Sequence, residues 1–348
     1  SFLAAGCTFI IMMIVYYCYD LIPFGDKTIL RMDLYHQYAP LFAELYERIF
    51  GADSLLYSFT SGLGSSFLGN YFNYLSSPTM LFVLIFGHYN IPEAVAAMVL
   101  VKASASAFTF TYFLSKISKK SDLSTSAFGL LYAFSGYFIA YYWNIMWLDA
   151  VVVFPLVMLG IWYIIEEGKS LTYVISLAYV MMTNYYMAYM TCILSVIFFL
   201  YFYFSKYSLS TKVNKNIILK DKYKNTLGTK FFNSTFMMRG VNFASSSILA
   251  ALIAAFALLP VFFILQKSSA TNSSFPTTFS SYFTIFDFFA NHFAGLTTTI
   301  RSSGDDVLPN VYCGILTLIL APLYFFSKTI TKKEKIATLS LLTILYFS

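Results

Sequence analysis

Apolar residues run through this chain in long blocks. They fall near residues 2–19, 91–115, 123–142, 147–165, 171–185, 186–205, 241–265 and 309–327, and a last block, 336–348, is still apolar where the sequence stops. A helix needs about 20 mostly apolar residues to cross a bilayer, because no water in the hydrocarbon can satisfy a bare backbone. The blocks therefore predict eight spanning helices and a truncated ninth. Ser1 stands where an apolar run begins at once and Ser348 inside an unfinished one, so we expect a piece of a longer protein.

Two polar interruptions are long, residues 20–90 and 266–308, and long loops on a compact helical scaffold are where function gathers. In the first, Tyr38, Leu41, Phe42, Leu45, Tyr46 and Ile49 recur at helical spacing with Glu44, Glu47 and Arg48 opposite, which predicts an amphipathic helix over residues 37–50 lying on the membrane surface. Residues 79–87 are apolar but too short to cross, and predict a second interfacial or re-entrant helix entered through Ser77-Pro78. The fold class is thus an all-α polytopic membrane protein with interfacial helices in its first long loop.

Composition and charge sharpen this picture. Only 11% of the 348 residues are charged, against about 25% in soluble domains, which excludes a water-soluble globule, and 38 Phe with 29 Tyr exclude a disordered chain. With the N-terminus cytoplasmic, most of the 22 Lys and Arg fall in inner loops, eight of them between Lys206 and Arg239 in the loop 206–240. The positive-inside rule then puts both long loops, 20–90 and 266–308, outside. The positive balance sets orientation and attracts inner-leaflet lipid, and implies no nucleic-acid partner. Cys7, Cys18, Cys192 and Cys313 all lie in apolar runs, as packing residues would.

Candidate chemistry gathers on the outer side. Asp33 stands just beyond the first span, and in a helical turn His36 and Gln37 would share its face. Its carboxylate can cap the following helix or act as a general base toward an incoming hydroxyl. Tyr38 belongs to the same segment, and Tyr74 ends the aromatic and amide cluster 70–74, which can anchor in the interface or cover a sugar or lipid. Trp147 and Asp149 lie at the mouth of the third and fourth spans, and Asn184 with Tyr185 at the junction of the fifth and sixth. Three such knots on one face suggest a pocket. Lys102, deep inside a span, needs a lipid phosphate or an acid such as Asp149 as partner, unless it snorkels to the interface. In the loop 266–308, Arg301 can hold a phosphate, and Asp305 with Asp306 can hold a metal or simply be solvated. No cofactor is implied, and no His, Cys or carboxylate spacing supports a divalent metal site.

Taken together, several motifs resemble the YfhO-like bacterial membrane proteins, a branch of the C-type (GT-C) glycosyltransferase superfamily. They are Asp33-Leu34-Tyr35-His36-Gln37-Tyr38 with Pro40, Ser61-Gly62-Leu63-Gly64, Tyr74-Leu75-Ser76-Ser77-Pro78, Trp147-Leu148-Asp149 leading to Phe154-Pro155, Asn184-Tyr185-Tyr186-Met187, and Tyr312-Cys313-Gly314. The resemblance implies a GT-C-type helical bundle in the bacterial plasma membrane. It implies an enzyme that moves a sugar from a polyprenyl-phosphate donor to an extracytoplasmic acceptor such as lipoteichoic acid or another wall polymer. Asp33 is then the matching base, and Leu34 stands where many superfamily members carry a second acid. A donor of this kind would need Lys102 or Arg301 at its phosphate, and in-line attack would invert the anomeric centre. The alternative is a lipid or polysaccharide transporter or flippase, which predicts paired repeats and broken helices around midplane charges.

Overall fold

The computed structural model describes residues 1–51, 53–61, 63–207, 235–267, 284–295 and 308–347. Arg301, Asp305 and Asp306 lie outside the described residues, as does most of the basic loop 206–240. Helices dominate, and no strand occurs among the described residues. Five helical segments are long and apolar enough to cross a membrane: His88–Ser118, Leu123–Tyr141, Trp147–Glu167, Tyr185–Lys206 and Thr235–Ile253.

The bundle is built around α5 (Ile91–Ser118) and α8 (Trp147–Glu167), the most enclosed of those five. Helix α1 (Phe2–Cys18) packs on α5 and on α6 (Leu123–Ala133), while α8 packs on α9 (Leu171–Thr183) and α10 (Tyr185–Lys206). Helix α11 (Thr235–Ile253) lies against α9, and α15 (Lys332–Phe347) against α10. Lipid tails are as apolar as leucine, so close backbone approach and hydrogen bonds must hold such helices together. Gly160 provides one approach: a Cβ there would stand 2.4 Å from the backbone nitrogen of Tyr173 on α9. At Gly129 of α6 a Cβ would meet Thr111 Oγ1 at 2.0 Å and the Ala107 carbonyl at 2.8 Å, both on α5.

Pro155 lies within α8 and has no N–H to give to the carbonyl of Val151, four residues earlier. The Tyr132 hydroxyl of α6 donates to that carbonyl at 2.6 Å instead, and Thr109 of α5 donates to the neighbouring Val152 carbonyl at 2.7 Å. The proline thus frees the Val151 carbonyl, which α6 uses to dock, and α5 adds a bond to the carbonyl beside it.

A buried ion pair joins the same helices. Lys102 Nζ of α5 lies 2.6 Å from Asp149 Oδ2 in the first turn of α8, and both side chains are about 97% enclosed or more, at 2% and 3% exposure. The ammonium also donates to the Ile145 carbonyl at 2.8 Å. Asp149 Oδ1 accepts from Ser77 Oγ at 2.9 Å and from the Tyr179 hydroxyl of α9 at 3.0 Å. Of the partners open to Lys102, the structure supplies the carboxylate.

The loop 20–90 folds back over one end of the bundle. A π-helical turn, Leu34–Tyr38, runs into α2 (Ala39–Gly51), which buries Leu41, Phe42 and Leu45. The amphipathic helix is therefore present, with two differences. Arg48, placed on the polar face by spacing, is buried and pairs with Glu44 at 2.7 Å, while Ile49 is 44% exposed. Arg48 faces inward because the chain after α2 covers it: its guanidinium donates to the carbonyls of Ser54 and Tyr57. Then come α3 (Phe67–Asn70), a second π turn, Tyr71–Leu75, and α4 (Leu81–Phe86). At 1.5 Å per residue, six residues span only about 9 Å and cannot cross a bilayer. The run 123–142 divides into α6 and α7 (Gly136–Tyr141), where Gly136 N–H donates at 2.7 Å to the Tyr312 carbonyl. The run 241–265 divides at Ala254 into α11 and α12 (Ala255–Leu265).

Two stability outcomes are expected in detergent thermal unfolding of the full chain. Lys102→Met or Asp149→Leu alone should cost about 3–5 kcal/mol by leaving a lone buried charge, and the double variant should recover most of it. Tyr132→Phe should cost about 1 kcal/mol, and this cost should shrink in a Pro155→Ala background, where the helix regains its own donor.

Candidate functional site

The segments carrying the sequence's polar aromatic motifs come together at the end of the bundle covered by the first loop. Tyr38, at the close of the first π turn, donates to Asn144 Oδ1 at 3.0 Å across 106 residues of sequence. Its ring lies 5.3 Å from that of Tyr74 in the second π turn. π turns inserted in α-helical chain recur at functional sites because they re-aim side chains at the expense of regular hydrogen bonding. Asn184 caps α10, its Oδ1 accepting from Met187 N–H at 2.9 Å, while its amide nitrogen donates to the Asn73 carbonyl at 2.9 Å. Ser76 donates to the Met182 carbonyl at 2.7 Å at the end of α9. The Trp147 ring stacks on Tyr186, with centroids 6.0 Å apart at 30°. Tyr185 follows the Asn184 cap as the first residue of α10. The three knots therefore knit into one surface, with the amides of Asn144 and Asn184 as internal ties.

Above this surface stands Asp33. It occupies the residue before the first π turn with helical backbone angles, φ −63° and ψ −24°, and its side chain caps nothing. The carboxylate is exposed and makes no hydrogen bond to any described residue. Between a cap and an uncommitted carboxylate, the structure gives the second. Burial pushes the Tyr38 phenol well above its ordinary pKa, and the negative charge of Asp33 pushes it the same way. Tyr38 therefore keeps its proton and stays a donor to Asn144. The i→i+5 spacing of the π turn puts Tyr38 in the field of Asp33, where an α-turn would favour His36 and Gln37. Those two side chains instead line a polar cavity of about 340 Å³ with Glu44, Thr60, Ser61 and Asn70.

Lys102 and Asp149 sit beneath the surface, closed off by each other and by Ser77 and Tyr179. They shape the floor and reach no open space. Sequence reasoning missed Asn144, which stands inside the Trp143 to Trp147 motif, and Ser77, which stands in the Ser-Ser-Pro motif; their partners are remote in sequence and gave no local signal. It also missed Glu44, whose neighbours in the loop after α2 are set by Arg48. Among the described residues, no three His, Cys, Asp or Glu side chains gather where they could share a metal ion. An apolar groove of about 290 Å³ starts at Tyr185 and runs between Tyr189 and Cys192 of α10 and Leu258, Val261 and Phe262 of α12.

No curated protein and no solved structure matches the chain. A family model does, over residues 4–348, which takes in every helix described above. It is the model of bacterial membrane protein YfhO, and the chain belongs to that family of membrane proteins.

Proposed function

We infer that this protein is a membrane glycosyltransferase that takes a sugar from a polyprenyl-phosphate donor and passes it to a hydroxyl of an extracytoplasmic acceptor, such as lipoteichoic acid or another wall polymer. The observation that carries the reading is Asp33: an exposed carboxylate with no hydrogen-bond partner among the described residues, held on the helical turn that leads to Tyr38 and the polar aromatic surface. The positive-inside charge pattern supports an extracytoplasmic position for that surface, at the water boundary, and membership of a bacterial membrane protein family supports a plasma-membrane setting.

In this reading the acceptor hydroxyl attacks the anomeric carbon. A new carbon–oxygen bond forms to the acceptor, the bond to the donor phosphate breaks, and polyprenyl phosphate leaves with the electron pair. Asp33 takes the hydroxyl proton, which raises the nucleophilicity of the oxygen as the bond forms. Attack from the side opposite the leaving phosphate inverts the anomeric centre. The groove running from Tyr185 along α10 and α12 has the apolar lining that a prenyl chain needs, and it opens beside the polar surface. Of the two cations suggested by the sequence for the phosphate, Lys102 is held by Asp149, which leaves Arg301, outside the described residues, as the candidate. Lys102 then serves by fixing α5 to α8 beneath the site, and Tyr74, Trp147 and Tyr185 form the surface on which the sugar lies, held from below by buried Tyr38 and Asn184.

Asp33→Asn keeps the size of the side chain and removes its basicity. With membrane levels matched to wild type, wall-polymer glycosylation read by NMR or lectin binding should fall by about 100-fold or more, the usual contribution of a general base. Unchanged glycosylation would remove Asp33 from the chemistry and turn the test to lipid transport.

A further inference from the structure

The cavity beside the first π turn is unusual for this chain, because most of its lining is polar. Glu44 is its centre. One carboxylate oxygen, Oε1, accepts from Arg48 Nε at 3.0 Å, Arg48 Nη2 at 2.7 Å, the Ser58 hydroxyl and Thr60 Oγ1 at 3.3 Å. The other, Oε2, accepts from none of the described residues. Arg48 is itself consumed: its guanidinium is divided between Glu44 and the carbonyls of Ser54 and Tyr57, and it lies over the Phe67 ring at 4.5 Å. It holds Glu44 in place and is not among the residues that line the cavity.

Around that carboxylate stand polar side chains whose hydrogen-bonding capacity the described residues leave unused. His36, Gln37, Ser61 and Asn70 all line the cavity, and none makes a side-chain hydrogen bond to a described residue. Amides and hydroxyls both give and accept hydrogen bonds, and a carboxylate accepts. The lining therefore offers donors and acceptors in mixture, one fixed negative charge, and no lysine or arginine. A phosphate would meet repulsion there, and an apolar chain would strand polar groups. A sugar ring meets neither difficulty, since its hydroxyls donate to Glu44 and exchange hydrogen bonds with the amides. The volume, about 340 Å³, lies at the small end of the range of about 300–1,000 Å³ for small-molecule sites, which suits a single ring.

We propose that this cavity is a subsite for the hydroxyls of one neutral pyranose, with Glu44 Oε2 as its charged acceptor and Gln37, Ser61 and Asn70 as neutral partners. His36 and Gln37 belong to the turn that Asp33 begins, so a ring held here is tethered to the same turn as the carboxylate. The proposal deepens the transferase reading and rests on it for the sugar's purpose. The ring can come from the lipid-linked donor or from a sugar already on the acceptor, and both present the same hydroxyls.

Saturation-transfer NMR on the purified full chain in detergent tests this, with methyl glucopyranoside, methyl galactopyranoside and methyl N-acetylglucosaminide as probes. At least one glycoside should receive magnetisation. Its affinity should fall by about tenfold or more, the equivalent of one good hydrogen bond to a charged group, in Glu44→Gln and in the Ser61→Ala/Asn70→Ala double variant. The double variant leaves the Glu44–Arg48 contacts intact, so it reads the subsite even if Glu44→Gln weakens the fold. Competition by a short-chain prenyl-phosphate glucose supports the subsite and assigns it to the donor, and competition by an oligomer of the acceptor supports it and assigns it to the acceptor. Transfer to none of the three glycosides, transfer unchanged in both variants, or displacement of the bound glycoside by inorganic phosphate or by calcium alone overturns it. The base and the subsite fail separately. Loss of glycoside binding in the cavity variants, with full glycosylation by Asp33→Asn, keeps the subsite and removes the base. Unchanged binding in those variants, with glycosylation lost in Asp33→Asn, does the reverse.

Discussion

An ammonium group drawn from water into the middle of a helical bundle loses several kcal/mol of solvation even after the protein relaxes around it. Lys102 is in that position, and what offsets the loss is an arrangement spanning four parts of the chain. The lysine comes from α5, the carboxylate from the first turn of α8, one supporting hydroxyl from α9 and another from Ser77 in the first loop. Asp149 gains further from its place at the positive end of the α8 dipole. Each partner is satisfied only when all four elements are assembled. The pair thus adds little net stability over an apolar filling of the same shape, but it penalises every packing in which α5 and α8 slide past each other or the loop lifts away. That is a device for specificity, and it fits a protein whose working surface is made of segments distant in sequence.

The same logic repeats at the membrane boundary on a smaller scale. Arg48 and Glu44, one turn apart on α2, hold each other while Arg48 gathers the carbonyls of the chain that follows. Without them residues 53–61 would have little to fold against, because this stretch contains no helix and few large buried side chains. The loop is therefore ordered from within by one charged pair and anchored from below by another, through Ser77. One π turn, Leu34–Tyr38, precedes the first anchor and the other, Tyr71–Leu75, lies between the two, and the Tyr38–Tyr74 contact joins them.

Much of this was legible in the sequence, and the reasons for the rest are specific. The apolar runs located the helices because burial in lipid demands length and hydrophobicity together. The breaks within 123–142 and 241–265 escaped, since a break such as that before Gly136 depends on a remote acceptor, the Tyr312 carbonyl. Lys102 and Asp149 stood out as charges where charges are costly, and Asp33, Trp147 and Asn184 as polar or aromatic groups at the ends of apolar runs; the structure pairs the first two and brings the segments that carry the others to one end of the bundle. What spacing could not reveal is which of them are consumed by the protein itself. Periodicity placed Arg48 on the outer face of α2, and only the later chain, folding over it, turns that face inward. A π turn has no sequence signature comparable to an amphipathic stripe, so the replacement of His36 and Gln37 by Tyr38 beside Asp33 was invisible beforehand.

In the proposed transferase, the carboxylates of this region divide between structural and chemical roles. Asp149 is neutralised by an ammonium and two hydroxyls, so any proton it accepted would cost the pair that holds the bundle. Glu44 has one oxygen that accepts four hydrogen bonds and another that accepts none from the described residues, so it is a fixed hydrogen-bond acceptor tied to Arg48. Asp33 alone of the three has no cation and no donor from the described residues. A general base must be able to change its protonation state during each turnover without disturbing what surrounds it. Only a carboxylate that carries no structural load can do so, and the two ion pairs that hold the loop and the helices in place are what allow Asp33 to carry none.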